Sequence, residues 1–335
     1  MRRGQFFRKK WPYLMLLVLA LAFPVLFPSR YVLQVVTMSC VFAIATVSLN
    51  LILGYTGQVS LAHAGFFAIG AYGVAITTKA GLSFWLALPL SALLAAAVSF
   101  FVGLPTLRTR GSYFAIATLC FGVIVSIVAG SWISLTGGHT GIVGVRLPDP
   151  IPLPPLGEIG FHSKAAQYYL VLVFLLLTLF VMHRLVNSVQ GLSFVAVRNN
   201  EVLAGSVGIN TFATKLLSFV IASFFAGLAG GLYASLMRSV SPDVASINLM
   251  FSWVVYLLLG GAGTLAGPVV GALAISALTE SLQFLAEYQL LIFGALLVAA
   301  MVYCPRGLVG LAETAGRRVK VYYRRRVGMR SDLEG

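Results

Sequence analysis

Polar residues inside otherwise apolar sequence are the first candidates for chemistry in this chain. The stretch from Leu51 to Gly65 reads LILGYTGQVSLAHAG and interrupts a long apolar region. Glycines in such a stretch let helix backbones approach closely or let a helix break, and the freed polar groups then need partners or a water-filled cavity. The pattern predicts a broken helix that lines a pathway through the molecule. The candidate residues are Gly54, Thr56, Gly57, Gln58, Ser60, His63 and Gly65.

A structural interpretation of the same stretch stays open. The polar residues would then form a connection between two helices, and the glycines would serve helix packing alone. His63 by itself is more typical of a hydrogen-bonded packing residue than of a ligand.

A second candidate is the polar segment 191–210, which predicts a short helix outside the membrane. Asn200 is a suitable N-cap, Glu201 suits the first turn, and Gly208 suits the position after the last turn. A helix of about two turns is marginal in water and needs a partner surface. Either it rests on its own bundle or it docks a cytoplasmic subunit. The apolar residues of its contact face are Leu203 and Val207.

Residues that other chemistries need are missing from the sequence. No lysine follows a glycine, which excludes the usual phosphate-binding loop, and neither His-Glu-x-x-His nor Gly-x-Ser-x-Gly occurs. Cys40, Cys120 and Cys304 lie far apart, and no cysteine–histidine cluster has metal-ligand spacing. Glu280 is the only acidic residue inside a predicted span, so a proton relay is also missing. We therefore expect no catalytic residue, metal or bound cofactor, and no energy source within this chain.

The elements that must position these residues follow from the composition. Of 335 residues, 59% are hydrophobic and 10% are charged, whereas soluble domains have about 45–50% apolar and about 25% charged residues. These values exclude a soluble enzyme, a nucleic-acid binder and a disordered chain. The sequence predicts an all-α polytopic membrane protein with about ten transmembrane helices. The predicted spans are 12–28, 31–53, 59–78, 84–106, 112–131, 166–186, 215–236, 248–260, 266–284 and 289–303.

Basic residues are unevenly distributed between the two sides of these spans. With ten spans and the N-terminus inside, 18 of the 23 lysines and arginines lie on the cytoplasmic side and 5 on the other. This bias predicts that both termini are cytoplasmic. The N-terminus resembles a signal peptide, but we expect a retained first span because further spans follow. The predicted division is a transmembrane domain (1–310), with a cytoplasmic loop (187–214) and an outer loop (132–165), and a basic cytoplasmic tail (311–335).

One short pattern occurs twice. Leu257–Gly263 (LLLGGAG) matches Leu51–Gly57 (LILGYTG) at two leucines and two glycines. Transporters often contain repeats with glycine-interrupted segments in corresponding places. However, both residue types are common in membrane helices, and both copies would face the same side, which does not suit an inverted repeat. Coincidence is therefore an equal alternative.

Six motifs follow one another from about Val32 to Gly310: LNLILGYTGQVSLAHAGFFAIGAY, RGSYFAIATLCFG, LTGGHTGIVGV, GLSFVAVRNNEVLAGSVGIN, GGAGTLAGPVVGA and PRGLVG. Together they resemble the permease subunits of branched-chain amino-acid ABC importers, the LivM-like type.

The resemblance implies a permease of the bacterial inner membrane, in contact with lipid and not with nucleic acid. It implies a related second permease, two cytoplasmic ATPases that bind ATP-Mg, and a periplasmic substrate-binding protein, so that 132–165 is a periplasmic loop. It also implies that the stretch from Arg198 to Gly208 is the coupling helix that meets an ATPase. The implied coupling residues are Arg198, Asn199, Asn200, Glu201, Ala204, Gly205 and Gly208.

The resemblance leaves the transported solute open. Substrates of the family include branched-chain and other amino acids and, in a close branch, urea or short amides. A stand-alone facilitator is the less favoured alternative.

Overall fold

The computed structural model describes residues 20–281, except 28, 110 and 154–156, together with residues 18, 294, 307, 308 and 310. Its helices are α1 (Arg30–Asn50), α2 (His63–Lys79), α3 (Phe84–Thr106), α4 (Ser112–Ser131), α5 (Ile133–Thr136), α6 (Lys164–Val186), α7 (Val189–Asn199), α8 (Glu201–Ser206), α9 (Thr211–Met237), α10 (Ile247–Gly260) and α11 (Gly267–Ser281). Residues 20–26 are also helical. A π-helical turn at Leu51–Tyr55 extends α1, and 3-10 turns occur at Gly138–Thr140 and Pro242–Ala245.

Five described helices are long and apolar enough to cross a membrane: α1 with its π turn, α3, α4, α6 and α9. The shorter α10 and α11 are also apolar. The helices α3 and α4 have the bounds predicted from the sequence, and α6, α9 and α10 begin within four residues of prediction. Predicted span 289–303, most of span 12–28 and the tail 311–335 lie outside the described residues.

One predicted span was wrong at its start. The predicted span 59–78 begins four residues before α2, which starts only at His63. The intervening segment 56–62 is not helical, because Gly57 takes a left-handed backbone with a φ of 73° and turns the chain. The predicted break in the helix is thereby confirmed.

Four short strands modify the expected all-α fold. They are β1 (Ile142–Val143), β2 (Ile151–Leu153), β3 (Gly157–Ile159) and β4 (Ser239–Val240), paired antiparallel as β1–β4 and β2–β3. They lie at one end of the bundle, called here the hairpin end, and the opposite end is called the α7–α8 end. Asp149 attaches the segment between α5 and α6 to the start of α3. Its carboxylate accepts from Ser83 Oγ at 2.7 Å and from the Phe84 amide at 2.8 Å.

The centre of the bundle depends on close backbone contact between α2 and α9. A Cβ at Gly70 would overlap the Gly227 backbone, and a Cβ at Gly230 would overlap the carbonyl oxygen of Phe67. Small residues allow helices to approach in this way. Beside this contact the Trp253 ring lies 5.0 Å from the Phe67 ring, between centroids. The glycines thus set the helix spacing and the aromatic rings fill the adjoining core.

Replacement of Gly230 by alanine tests this contact. The added methyl meets backbone atoms that cannot rotate away, so we expect a loss of about 1–3 kcal/mol or more in stability. The measurement is the thermal midpoint of the detergent-purified protein. The matched control is Gly122→Ala, where the nearest atom to the new Cβ is 3.5 Å away; equal midpoints for both variants would contradict the packing argument.

Candidate functional site

Several backbone amides of the break between α1 and α2 have hydrogen-bond partners within the protein. The Thr56 amide donates to the Leu51 carbonyl at 3.1 Å, and the Gln58 amide donates to the Ile52 carbonyl at 3.0 Å. Farther along, the Leu61 amide donates to Thr118 Oγ1 on α4 at 3.0 Å. Non-helical backbone at membrane depth is tolerated only where such partners exist or where it lines a water-filled cavity. The break is therefore a built feature of the fold.

The predicted pathway residues fall into two environments. Gly54, Thr56, Ser60, His63 and Gly65 are buried, whereas Gly57 is exposed and Gln58 is half-buried. The side chain of His63 shares a hydrogen bond of 2.8 Å with Ser48 Oγ, and its ring lies edge-on to Trp253. In this conformation, the break reaches the surface of the described bundle from Gly57 to Val59. The pathway role stays a prediction.

Asn50, at the end of α1, holds the loop 261–266 against the break. Its side-chain amide donates to the Thr264 carbonyl at 2.7 Å, and its carbonyl oxygen accepts from the Gly263 amide at 2.8 Å. Gly54 has no room for a side chain, because a Cβ there would lie 2.7 Å from the Gly263 nitrogen. The two similar sequence patterns therefore contact each other, which the sequence did not indicate.

Arg198, at the end of α7, reaches the same junction. Its Nη1 donates a short hydrogen bond to the Gly54 carbonyl oxygen. A Cβ at Gly57 would lie 2.8 Å from Arg198 Cγ, and one at Gly263 would lie 3.0 Å from Nη1. The predicted coupling residue and the predicted pathway residues thus form one contiguous contact. The sequence pattern of neither set of residues indicated this contact.

The predicted short helix is present, but its bounds differ from those implied. Asn200 caps α8 by accepting from the Leu203 amide at 3.0 Å, and Gly208 follows with a φ of 89°, both as predicted. However, Arg198 and Asn199 belong to a separate helix, α7. The extended backbone of Asn200 separates α7 from α8.

Helix α7 was missed from the sequence, although signals for it exist. Ser188 is its N-cap and accepts from the Gly191 amide. Phe194 and Val197, three residues apart, form its buried side. The predicted loop 187–214 also includes the first turn of α9, which begins at Thr211.

Glu201 forms an ion pair that attaches α8 to α9. Its carboxylate lies 2.6 Å from Lys215 Nζ, and the two side chains are 27% and 5% exposed. A buried ammonium needs such a partner, because an unpaired charge there is strongly destabilising. Glu201 therefore fixes the position of α8 from within.

Five large apolar side chains in or next to α7 and α8 are exposed, together with polar residues such as Gln190, Arg198 and Ser206. Val202 is 73% exposed, Leu203 62% and Val207 71%, and Val189 and Leu192 of α7 are exposed as well. Leu203 and Val207 therefore do not rest on the described bundle, which was one of the two interpretations of this helix. We call these five residues the α7–α8 face. Among the implied coupling residues, Arg198, Asn199, Asn200, Gly205 and Gly208 are exposed, Glu201 is half-buried and Ala204 is buried.

A cavity of about 320 Å³ lies between α1, α9, α10 and α11. Ser276 Oγ is buried beside it without a hydrogen-bond partner among the described residues. Its lining carries no charge and comes from four helices far apart in sequence, so no local motif indicated it. The lining residues are Tyr31, Gln34, Val35, Met38, Ser39, Phe42, Tyr233, Met237, Tyr256, Ser276 and Thr279.

The long apolar helices define a multi-pass helical membrane protein. The chain belongs to the family described as "Branched-chain amino acid transport system / permease component", which matches residues 31–301. This membership confirms the resemblance inferred from the six motifs.

Individual relatives agree with this assignment. The chain is 33% identical to the high-affinity branched-chain amino acid transport system permease protein LivM of Escherichia coli K12, over 92% of this chain and 77% of that protein. It is 23% identical to the corresponding LivH protein of Salmonella typhimurium LT2, over 83% and 94%. A probable branched-chain amino acid transport permease protein LivM of Methanocaldococcus jannaschii is 23% identical, over 66% and 67%. No solved structure matches the chain.

Replacement of Asn50 by leucine tests the attachment of the loop 261–266. The change leaves the Gly263 amide and the Thr264 carbonyl without their partner, and each unsatisfied buried group costs about 1–3 kcal/mol. We expect faster amide hydrogen exchange in 261–266, measured by mass spectrometry in detergent. The control Asn248→Leu changes an exposed asparagine at the start of α10; unchanged exchange in Asn50→Leu would show that Asn50 does not hold the loop.

Proposed function

We propose that this chain is the transmembrane permease subunit of an ATP-binding-cassette importer for branched-chain or related amino acids. It would move the solute across the inner membrane with ATP hydrolysed by partner subunits, and would carry out no catalysis itself. Family membership supports transport as the activity. The observation that carries the ATP-coupled form is the α7–α8 face, an apolar surface joined by Arg198 to the helix break.

The proposed orientation places the α7–α8 end in the cytoplasm. It rests on the 18 cytoplasmic basic residues against 5 outside, counted for ten spans with both termini cytoplasmic. The hairpin end then faces the periplasm.

The α7–α8 face is the proposed docking site for an ATPase. A helix as short as α8 is not stable in water by itself, and here a cap and the Glu201–Lys215 ion pair fix it against α9. Fixed in this way, it presents Val202, Leu203 and Val207 outward. A contiguous exposed apolar patch is typical of a protein interaction site. ATP-Mg would bind to that partner.

The further proposed partners complete an importer. The chain is similar both to LivM and to LivH, two proteins named as permeases of a branched-chain amino acid transport system. This dual similarity supports a related second permease beside it. Two ATPases, a periplasmic substrate-binding protein and surrounding lipid complete the proposal.

The proposed translocation pathway combines the helix break with the cavity between α1, α9, α10 and α11. The hydroxyl groups and aromatic rings of the cavity suit a solute with polar groups and an apolar branch. At the break, we retain the predicted set Gly54, Thr56, Gly57, Gln58, Ser60, His63 and Gly65. Uptake of urea or short amides instead of amino acids would favour the alternative substrate class, and flux without any ATPase would favour a stand-alone facilitator.

Charged substitutions on the α7–α8 face test the docking proposal. Leu203→Asp and Val207→Asp place a carboxylate where an apolar partner surface would have to exclude water. We expect a loss of ATPase co-purification of about tenfold or more, corresponding to at least about 1.4 kcal/mol. Val143→Asp is the matched control, because Val143 is equally exposed at the hairpin end.

The outcome of that experiment is read together with folding. All three variants should elute as monodisperse protein in detergent, since the substituted side chains are exposed. Full ATPase retention by both Leu203→Asp and Val207→Asp would refute docking through this face. Glu201 is unsuitable for this test, because its replacement also leaves Lys215 buried without a partner.

Filling the cavity tests its part in the pathway. Ser276→Phe places a phenyl ring into a space of about 320 Å³, and we expect uptake to fall about tenfold while ATPase co-purification is kept. The control Ala274→Phe changes an exposed position on the same helix. The measurement is uptake of radiolabelled leucine into vesicles that contain the whole importer. Equal uptake by both variants would remove the cavity from the pathway.

A further inference from the structure

The environment of Arg198 is unusual for an arginine at a helix end. The last carbonyl groups of a helix have no intrahelical partner, and Arg198 Nη1 supplies one to Gly54, near the end of the π turn. A cation in this position also interacts favourably with the negative end of the helix dipole. The arginine therefore completes the end of α1 from a different segment of the chain.

Two glycines at matching motif positions make room for this side chain. Gly57 and Gly263 are each the last residue of the repeated pattern, and both have left-handed backbones, with φ values of 73° and 77°. Cβ atoms there would lie 2.8 Å and 3.0 Å from Arg198 atoms. A side chain at either position would therefore press on the arginine. Gly57 thus makes room for the aliphatic part of the Arg198 side chain, and Gly263 makes room for its guanidinium group.

The acidic residue nearest to Arg198 in the sequence already has another partner. Glu201, three residues along the chain, is paired with Lys215. That pair is the one salt bridge found within the described part of the chain, so Arg198 has no carboxylate partner there. Its charge is directed at the carbonyl group of the break instead.

From this geometry we propose that Arg198 is a positioning residue that transmits movement of the α7–α8 face to the helix break. The inference deepens the proposed function and rests on it. The ATPase would press on Val202, Leu203 and Val207, and α7 would carry the displacement to Gly54 through the guanidinium group. Asn50 links the same point to the loop 261–266, so the break and that loop would move together. Arg198 would thus couple the docked ATPase to the helix break.

The test compares Arg198→Ala with Arg198→Lys in the assembled importer. Without the guanidinium group, we expect the maximal uptake rate per ATP hydrolysed to fall about tenfold, the effect of losing a hydrogen bond to a charged group. ATPase co-purification and the solute concentration at half-maximal uptake should stay within about twofold. Lysine keeps the charge and a donor but lacks the planar fork, so we expect partial rescue.

A second measurement reports on the junction itself. In the isolated detergent-purified chain, Arg198→Ala should accelerate amide hydrogen exchange in 54–62, because the Gly54 carbonyl loses its partner. Arg184→Ala is the control for both measurements, since Arg184 is an exposed arginine near the same end.

The outcomes separate this inference from the proposed function. Loss of ATPase co-purification in Arg198→Ala would make Arg198 a docking residue and overturn the positioning role. An unchanged uptake-to-ATP ratio, or unchanged exchange in 54–62, would also overturn it. In a different outcome, the wild-type chain binds no ATPase while Arg198→Ala still accelerates amide exchange in 54–62. That result would refute the proposed function and leave the Arg198–Gly54 contact with a structural role only.

Discussion

Backbone groups that leave a helix lose their regular hydrogen-bond partners and must find others or meet water, and this constraint shapes the junction between α1 and α2. In the segment 56–62, the Thr56 and Gln58 amides bond to carbonyls of the preceding turn, and the Leu61 amide bonds to a hydroxyl on α4. Arg198 supplies a partner to the Gly54 carbonyl in the adjoining π turn, and Asn50 holds the loop 261–266 beside it. The Gly54 carbonyl at the end of the π turn thus accounts for the direction of the Arg198 side chain, which reaches it from the end of α7.

The centre of the bundle and its α7–α8 end are held together by different kinds of contact. Around α2 and α9, glycines bring backbones together, and the contact depends on close packing over a large area. At the α7–α8 end, the contacts of Arg198 and Asn50 are a few hydrogen bonds between polar groups. Breaking closely packed backbones requires separating whole helices, whereas the few hydrogen bonds of Arg198 and Asn50 can break one at a time, each at a small net cost. The α7–α8 end is thus the part of the described bundle best suited to rearrange while the centre stays assembled.

Local signals allowed accurate prediction where the structure is determined locally. Long apolar runs allowed the bounds of α3 and α4 to be predicted. Asn200 and Gly208 allowed the ends of α8 to be predicted, because helix caps and left-handed glycines act within one turn. The start of α2 was wrong, since the apolar run continues through the break and hydropathy does not record backbone direction. Arg198 was predicted to face a partner, but its direction depends on Gly54, distant by 144 positions. The cavity was also missed, because four helices must assemble before it exists.

The repeated pattern shows how a weak sequence signal acquires a physical cause. By itself, the match between 51–57 and 257–263 was as consistent with chance as with an internal repeat of a transporter. The structure brings both copies to the same end, which still does not suit an inverted repeat, and places Gly57 and Gly263 against one side chain. A shared neighbour imposes the same demand on both segments: no Cβ and a left-handed backbone at the final position. The common contact with Arg198 therefore accounts for the last matched glycine alone, because a Cβ at the other matched glycines would meet different neighbours, Asn50 and Gly263 at Gly54 and Gly267 at Gly260.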